Sequence, residues 1–173
     1  MISQERKKII KEEKRKNRLI RGLIVLITLS FFSCAQDRIF DNYTTIQNQW
    51  DKDSLIIFEV DLKSSSYNTF INVRTDQSYR FNNLFLIVTV QDSVKTIMKD
   101  TLEYKMANSN GKLLGKKFLN TFQNKLVHKE STKFESGKYL VTIQHAMRKI
   151  NQINGLKLLD GIINIGYRIE KEK

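Results

Sequence analysis

Few side chains in this sequence are of the types that perform catalysis or hold a metal. The chain has one cysteine, Cys34, and two histidines, His128 and His145. A zinc site takes about four ligands, most often cysteine and histidine, so carboxylates would have to complete any site here. The chain contains neither a GxSxG nucleophile elbow nor a glycine-rich phosphate loop. We therefore predict no catalytic residues, no metal, no cofactor and no enzymatic activity.

Three polar side chains remain as candidates. His145 falls on the apolar side of an alternating segment, where a histidine is either a proton-transfer or ligand residue or a core residue with a hydrogen-bond partner. No reactive residue neighbours it in sequence, which favours the core residue. Asp100 and Glu103 could form the carboxylate pair of a glycoside hydrolase. Residues three apart on a strand face opposite sides, so the sequence favours a solvated edge.

Trp50 is the only tryptophan of the chain. With Tyr43 and Phe40 it could form an aromatic platform for a sugar ring. A single tryptophan near the start of a folded domain more often closes one end of a core. Both interpretations stay open at the level of sequence, and the second is favoured.

The cysteine is better explained by what precedes it. An apolar run over residues 22–33 follows a basic segment and ends at Ser33, directly before Cys34. The run is shorter than the about 20 residues of a spanning helix and fits the roughly 7 to 15 residues of a signal-peptide core. We predict a lipoprotein signal peptide over residues 1–33 with an extended basic n-region, and acylation of Cys34.

An uncleaved signal anchor is the alternative. A helix over Leu19–Phe32 would remain in the inner membrane, with Arg21 reaching back to the interface. Phe31 and Phe32 also depart from the small aliphatic residues that usually precede a lipidated cysteine.

The net charge of +12 would by itself favour a nucleic-acid binder. Residues 1–33 hold 9 of the 30 basic and 3 of the 18 acidic residues, which leaves +6 on residues 34–173. The basic residues before the apolar run orient it in the membrane, and the remainder is spread without an arginine-rich cluster. We therefore expect no nucleic-acid partner.

Beyond the cysteine the chain has no proline and no linker-like stretch. We predict a lipidated cysteine and tether over residues 34–49, the tether being Ala35–Gln49, and one domain over residues 50–173. Alternation of apolar and polar residues predicts strands. These are Ser54–Leu62, Tyr67–Arg74, Thr101–Ala107, Tyr139–Met147 and Gly161–Ile169.

Four details of this pattern can be tested. The short polar link Lys63–Ser66 favours a hairpin between the strands that flank it. Leu84–Gln91 is apolar on both sides, which predicts a strand in the middle of a sheet, covered on both faces or nearly so. Leu119–Val127 fits a short helix or a bent strand. In Gly161–Ile169, Ile163 is expected on the same face as Ile165.

These six to eight short strands, without helices between them, predict an all-β fold. A single antiparallel β-sandwich closes their apolar faces most simply, and a barrel is the main competitor. A membrane barrel is not expected, because its strands need about 9–11 residues each and these are shorter.

An ordered set of segments resembles the gliding-motility lipoprotein H family (GldH) of the Bacteroidetes. The segments are CAQDRIFDNYTTIQNQW, YNTFINVRTDQSYRFNNLFLIVTV, DTLEYKMANSNGKLLG, GKYLVTIQHAMRK and LDGIINIGYRIEK. The similarity covers essentially the whole chain after Cys34.

The resemblance implies a non-enzymatic lipoprotein of the cell envelope that gliding requires. Its implied partners are the membrane, through acyl chains on Cys34, and other proteins of the gliding and type IX secretion machinery, with a role in surface-adhesin handling. It implies neither a nucleic acid nor a small-molecule substrate. The expected location is the outer membrane, facing the periplasm, since no acidic cluster follows Cys34. A glycan-binding surface lipoprotein is the alternative function.

Overall fold

The computed structural model describes Lys16, residues 38–149 and residues 153–172. Cys34 and, apart from Lys16, the predicted signal peptide lie outside the described residues. Within the described part, no helix is of a length and hydropathy that would take it across a bilayer. Its strands are β1 (Arg38–Thr45), β2 (Trp50–Asp51), β3 (Ile56–Leu62), β4 (Ser65–Thr75), β5 (Asn83–Gln91), β6 (Thr96–Lys105), β7 (Lys116–Phe118), β8 (Thr121–Phe134), β9 (Gly137–His145), β10 (Leu158–Leu159) and β11 (Ile162–Lys171).

The strands form two large antiparallel sheets and one small one. The first has the order β1-β11-β4-β8-β7, the second β3-β9-β5-β6, and β10 pairs with β2. Aromatic contacts join the two large sheets face to face: Phe58 of β3 stacks on Tyr167 of β11 at 6.2 Å, and Phe134 of β8 meets Tyr139 of β9 at 5.2 Å. The predicted all-β antiparallel sandwich is confirmed.

The core follows the predicted alternation. Every second side chain of β3, β4 and β9 is buried between the sheets. β5 lies between β9 and β6, as expected for a central strand. Only its face with Leu84 and Leu86 is fully buried, whereas Phe85 and Ile87 on the other face are half-buried.

The predicted hairpin across Lys63–Ser66 is wrong. β3 pairs with β9 in the second sheet, and β4 pairs with β11 and β8 in the first. The link therefore crosses from one sheet to the other. Alternation identifies which face of a strand is buried, but both sheets bury their faces in the same core, so the pattern does not reveal the pairing.

The predicted tether is too long. Its residues from Arg38 to Thr45 form β1, which pairs with β11 along its length. Phe40 packs edge-on against Phe58 at 6.2 Å between ring centres. The folded domain thus includes Arg38–Thr45 and does not begin at Trp50.

The last two details of the pattern concern β8 and β11. Of the alternatives for Leu119–Val127, the strand is the one found, because it lies mostly within β8. In β11 the register shifts between Ile162 and Asn164. Ile162 is consequently buried in place of the predicted Ile163. An extra residue in one strand moves the following side chains to the other face.

Candidate functional site

The two ends of the sandwich differ in their connections. At one end the strands are joined by short links of two to four residues, 63–64, 92–95 and 135–136. β1 also begins there, since Arg38 pairs with Glu170 near the end of β11. We call this the turn end. The opposite end, here the loop end, carries residues 46–55, 76–82, 106–115, 146–149 and 153–161. Long loops on a rigid scaffold are the usual place for binding residues.

Trp50 and His145 lie together inside the loop end. The Trp50 side chain is 2% exposed and its indole N–H donates to the Ser54 carbonyl at 3.1 Å. Its ring meets the His145 ring edge-on at 5.2 Å, and His145 Nε2 lies 3.0 Å from the Trp50 carbonyl. Burial lowers the pKa of His145, so the ring is neutral and Nε2–H donates to that carbonyl. The two interpretations favoured from the sequence, a core-closing tryptophan and a core histidine, are confirmed.

A cleft of about 1400 Å³ opens at the same end, beside the start of β5 and the ends of β6 and β9. Four cationic side chains line it, and one acidic side chain, Glu103. The Asn83 amide donates to Glu103 Oε1 at 2.7 Å. We call this the basic cleft. Its cations, none of which forms an ion pair with another residue of the described ranges, are Arg80, Lys105, Arg148 and Lys149.

Hydrogen bonds fix the β4–β5 loop that forms one wall of the cleft. Asp76 Oδ1 accepts from the Ser78 backbone N–H at 2.8 Å and from its hydroxyl at 2.6 Å. The buried Tyr79 hydroxyl donates to the Asn83 carbonyl at 2.6 Å. Tyr79 rests on Gly161, whose φ of +79° and lack of a Cβ permit the contact. The loop is thus held in place without a ligand.

The other wall is tied to the same loop. The Asn82 carbonyl accepts from the backbone N–H of Met106 at 2.7 Å and of Ala107 at 3.1 Å. The Phe85 carbonyl accepts from the Ala146 N–H at 2.9 Å. The chain segments that carry the four cations are therefore joined through backbone hydrogen bonds, and the cleft is preformed.

Asp100 and Glu103 do face opposite sides of β6. Glu103 lines the basic cleft, whereas Asp100 is directed into the edge of the sandwich against His128. The two carboxylates therefore cannot flank one glycosidic bond. Within residues 38–149 and 153–172, no three or more His, Cys, Asp and Glu side chains form a group suited to a metal ion.

A polar cluster that the sequence pattern did not predict lies in the core around His128. The residue is 5% exposed. Its Nδ1 lies 2.9 Å from the Tyr167 hydroxyl and 3.2 Å from Thr69 Oγ1. Its Nε2 lies 3.3 Å from Asp100 Oδ2, and the Lys129 ammonium meets Asp100 Oδ1 at 2.9 Å. A carboxylate only accepts, so Nε2–H donates to Asp100 and Nδ1 accepts the Tyr167 proton.

A bulge in β8 places this histidine. Phe70 pairs with Val127 and Thr69 with Lys129, so His128 is the extra residue between them. The sequence did contain a signal that His128 faces inward. Phe122, Leu126 and His128 stand at even spacing, and strand alternation therefore places all three side chains on the same side of β8. Burial is the main influence on the ring and lowers its pKa, against the opposing effect of Asp100.

The order Thr69, His128, Asp100 matches that of a hydroxyl, base and orienting acid in hydrolases. Thr69 is 1% exposed and lies between the sheets, so a substrate has no access to its hydroxyl in this conformation. The same hydroxyl accepts the Lys129 backbone N–H at 3.2 Å. The arrangement therefore satisfies polar groups inside the core, as buried polar groups generally require.

The described residues define an all-β sandwich domain with a sealed polar core cluster and one open, preformed cationic cleft. Comparison with known proteins places this domain. The family model for the GldH lipoprotein matches residues 38–169, which run from the start of β1 nearly to the end of β11. The chain belongs to the GldH lipoprotein family.

Two curated relatives agree with this assignment. The chain is similar to the gliding motility lipoprotein GldH of Flavobacterium johnsoniae, with 41% identity over 87% of this chain and 96% of the relative. It is similar to the gliding motility lipoprotein GldH homolog of Christiangramia forsetii, with 43% identity over 86% of this chain and 93% of the relative. Among solved structures, the VP2 subviral particle of infectious bursal disease virus shares 12% identity, with a TM-score of 0.33 over 75% of this chain and 33% of that chain. That score is too low to support any argument.

Proposed function

We propose that the protein is a lipid-anchored, non-catalytic component of the gliding motility machinery in the cell envelope. The observation that carries this proposal is the similarity to two curated gliding motility lipoproteins over most of both chains. The matched region runs from the first residue of β1 to Ile169 in β11 and so covers nearly the whole sandwich. The inaccessibility of Thr69 in the polar cluster supports a role in binding and not in turnover.

The anchor in this proposal is an acylated Cys34. It precedes Arg38, the first residue of β1, by only four positions. Each buried methylene contributes about 0.8 kcal/mol, and two acyl chains already hold a protein stably on a bilayer. A tether this short holds the turn end near the lipid. The eleven residues of β4 span about 35 Å between the two ends, so the loop end would be directed away from the bilayer.

The location follows from the anchor and the charge pattern. We infer an outer-membrane lipoprotein that faces the periplasm, where it supports type IX secretion and the handling of surface adhesins. No acidic cluster follows Cys34, which favours retention on the periplasmic face. Partners would be other proteins of the same machinery.

A clean deletion and one substitution test these statements. We expect the deletion to abolish spreading on agar and to reduce secreted adhesins, and the intact gene to restore both. Cys34→Ala should prevent acylation and move the protein out of the outer-membrane fraction. Ser33→Ala keeps a small residue before the cysteine and is the matched control, which should fractionate like wild type.

Two results would contradict the proposal. Normal spreading and normal secretion in the deletion strain would remove the motility role. Unchanged fractionation of Cys34→Ala, with residues 1–33 retained in the mature protein by mass spectrometry, would replace the acyl anchor by an uncleaved signal anchor. The glycan-binding alternative loses its main support, because the Trp50 ring is buried and offers no stacking face.

A further inference from the structure

The side chains that line the basic cleft carry more positive than negative charge, and the fold itself does not need this excess. Four cations and one carboxylate share its lining, and the carboxylate already accepts a hydrogen bond from Asn83. Like charges on a common surface repel one another, and the fold bears that cost unless an anion compensates it. Backbone hydrogen bonds hold the chain segments that carry these cations side by side.

The size of the cleft favours a polymer segment over a small molecule. Its volume of about 1400 Å³ exceeds the roughly 300–1,000 Å³ of typical small-ligand pockets. The lining also includes apolar surface from Phe81 and Phe85, both only partly buried. An occupant with alternating acidic and apolar groups would complement both kinds of surface.

An edge strand borders the cleft; among the described residues its outer edge is unpaired up to Lys105, after which Ala107 is bridged to Leu113 and the Met106 carbonyl accepts from the Leu114 N–H. β6 is the last strand of its sheet and, in the described part of the chain, pairs only with β5. Two residues of β6, Glu103 and Lys105, line the cleft. An unpaired edge of this kind accepts an added strand, whose main chain supplies affinity while its side chains supply specificity.

This edge distinguishes between anionic polymers. A polysaccharide or a nucleic acid has no peptide backbone to pair with β6. An extended polypeptide is the polymer that uses the free edge, the cations and the apolar lining together.

We propose that the basic cleft and the free edge of β6 bind an extended acidic polypeptide segment of a partner protein. The proposal rests on the proposed function in that the partner would be another protein of the gliding machinery. The binding itself is independent of acylation. Localisation tests the anchor and peptide binding tests the cleft, so either can fail without the other.

The first measurement uses the full-length protein in a neutral detergent at low salt. The probe is a dye-labelled ten-residue peptide of alternating glutamate and valine, followed by fluorescence anisotropy. We expect saturable binding that weakens steeply as salt rises, and binding about tenfold weaker for the same peptide with glutamine in place of glutamate. Tighter binding of an oligogalacturonate or of a single-stranded oligothymidylate would overturn the polypeptide as ligand.

Variants of equal charge change locate the site. Arg80→Gln with Arg148→Gln should weaken peptide binding about tenfold. Lys63→Gln with Lys171→Gln removes the same charge at the turn end and should change it by less than about twofold. Equal losses in both pairs would show attraction by net charge and overturn the proposal. Urea unfolding shows whether the variant with Arg80→Gln and Arg148→Gln is folded. If it is misfolded, a variant with Lys105→Gln and Lys149→Gln takes its place in the binding measurement.

A modified peptide tests the strand edge. N-methylation at alternate residues, on the side that would pair with β6, removes the peptide N–H donors and leaves the carboxylates. We expect binding about tenfold weaker than for the unmodified peptide, and no such loss when the other alternate residues are methylated. Equal affinity of all three peptides would overturn the assignment of β6 to the site.

Discussion

The two buried histidines should make the fold lose stability as the pH falls below neutrality. Burial lowers the pKa of His128 and of His145 in the folded state. The unfolded chain then binds more protons than the folded one once the pH falls below the ordinary histidine value of about 6.5. Stability is therefore complete above that value and decreases as the pH drops through it.

The magnitude follows from proton linkage. A histidine that titrates in the unfolded chain and stays neutral in the folded one costs about 1.4 kcal/mol between pH 7.5 and 5.5. His128 and His145 together give an upper limit of about 2.7 kcal/mol, reached if neither is protonated in the folded state over this interval. The Asp100 carboxylate beside His128 does not reverse the sign, because burial of the ring has the larger effect on the pKa of His128.

Urea unfolding at pH 7.5, 6.5 and 5.5 measures the effect. Far-ultraviolet circular dichroism is the better probe, because the Trp50 ring contacts His145 and its fluorescence would respond to protonation directly. His128→Gln and His145→Gln should each remove about half of the pH dependence, whatever their effect on stability at pH 7.5, and the double variant should be nearly flat. Glu170 does not interfere, because its lowered pKa places its contribution at more acidic pH. A full pH dependence in the double variant, or none in wild type, would refute the reasoning.

Two further predictions concern packing at the loop end. Gly161→Ala should lower the free energy of unfolding by about 3 kcal/mol, because a Cβ there lies 2.5 Å from Tyr79 Cα. The control, Gly111→Ala, has a similar φ but open space around it and should cost about 1 kcal/mol in urea unfolding. Equal costs would mean that the Tyr79 contact is unimportant. Trp50→Ala should lower the free energy of unfolding by about 3–5 kcal/mol in the same measurement. Val94→Ala, at an exposed site, is the control and should cost less than about 0.5 kcal/mol. A small effect of Trp50→Ala would contradict the place of this side chain in the core.

The core could be predicted from the sequence because a strand repeats every two residues. Alternation in Tyr139–Met147 predicted that His145 faces inward, and the same pattern in Ser54–Leu62 predicted the buried face of β3. Short-range spacing also separated Asp100 from Glu103 correctly, since it depends only on the geometry of one strand.

Pairing and bulges could not be predicted in the same way. The strands around Lys63–Ser66 join different sheets, and the choice depends on contacts far away in the chain. His128 reaches Asp100 and Tyr167 only because β8 carries an extra residue opposite β4. Such a bulge is set by packing between sheets and leaves little trace in local composition.

The basic cleft was invisible in the sequence for a related reason. Arg80 lies in the β4–β5 loop, Lys105 at the end of β6 and Arg148 after the end of β9, so the cations of the cleft come from three separate parts of the sequence. The net charge after residue 33 therefore appeared evenly spread. It is the strand order β9-β5-β6 that brings these segments side by side.

The position of the cleft also bears on how strong its binding has to be. In the proposed anchored state, acyl chains at Cys34 hold the turn end at the bilayer, so the loop end is presented at one height above it. Confinement of two partners to the same membrane raises their effective concentration, and a contact that is weak in solution then suffices for assembly. An open cleft with a few cations and one strand edge is suited to such a contact. A micromolar affinity for the acidic peptide would therefore agree with the proposal, and its dependence on Arg80 and Arg148 is the stronger criterion.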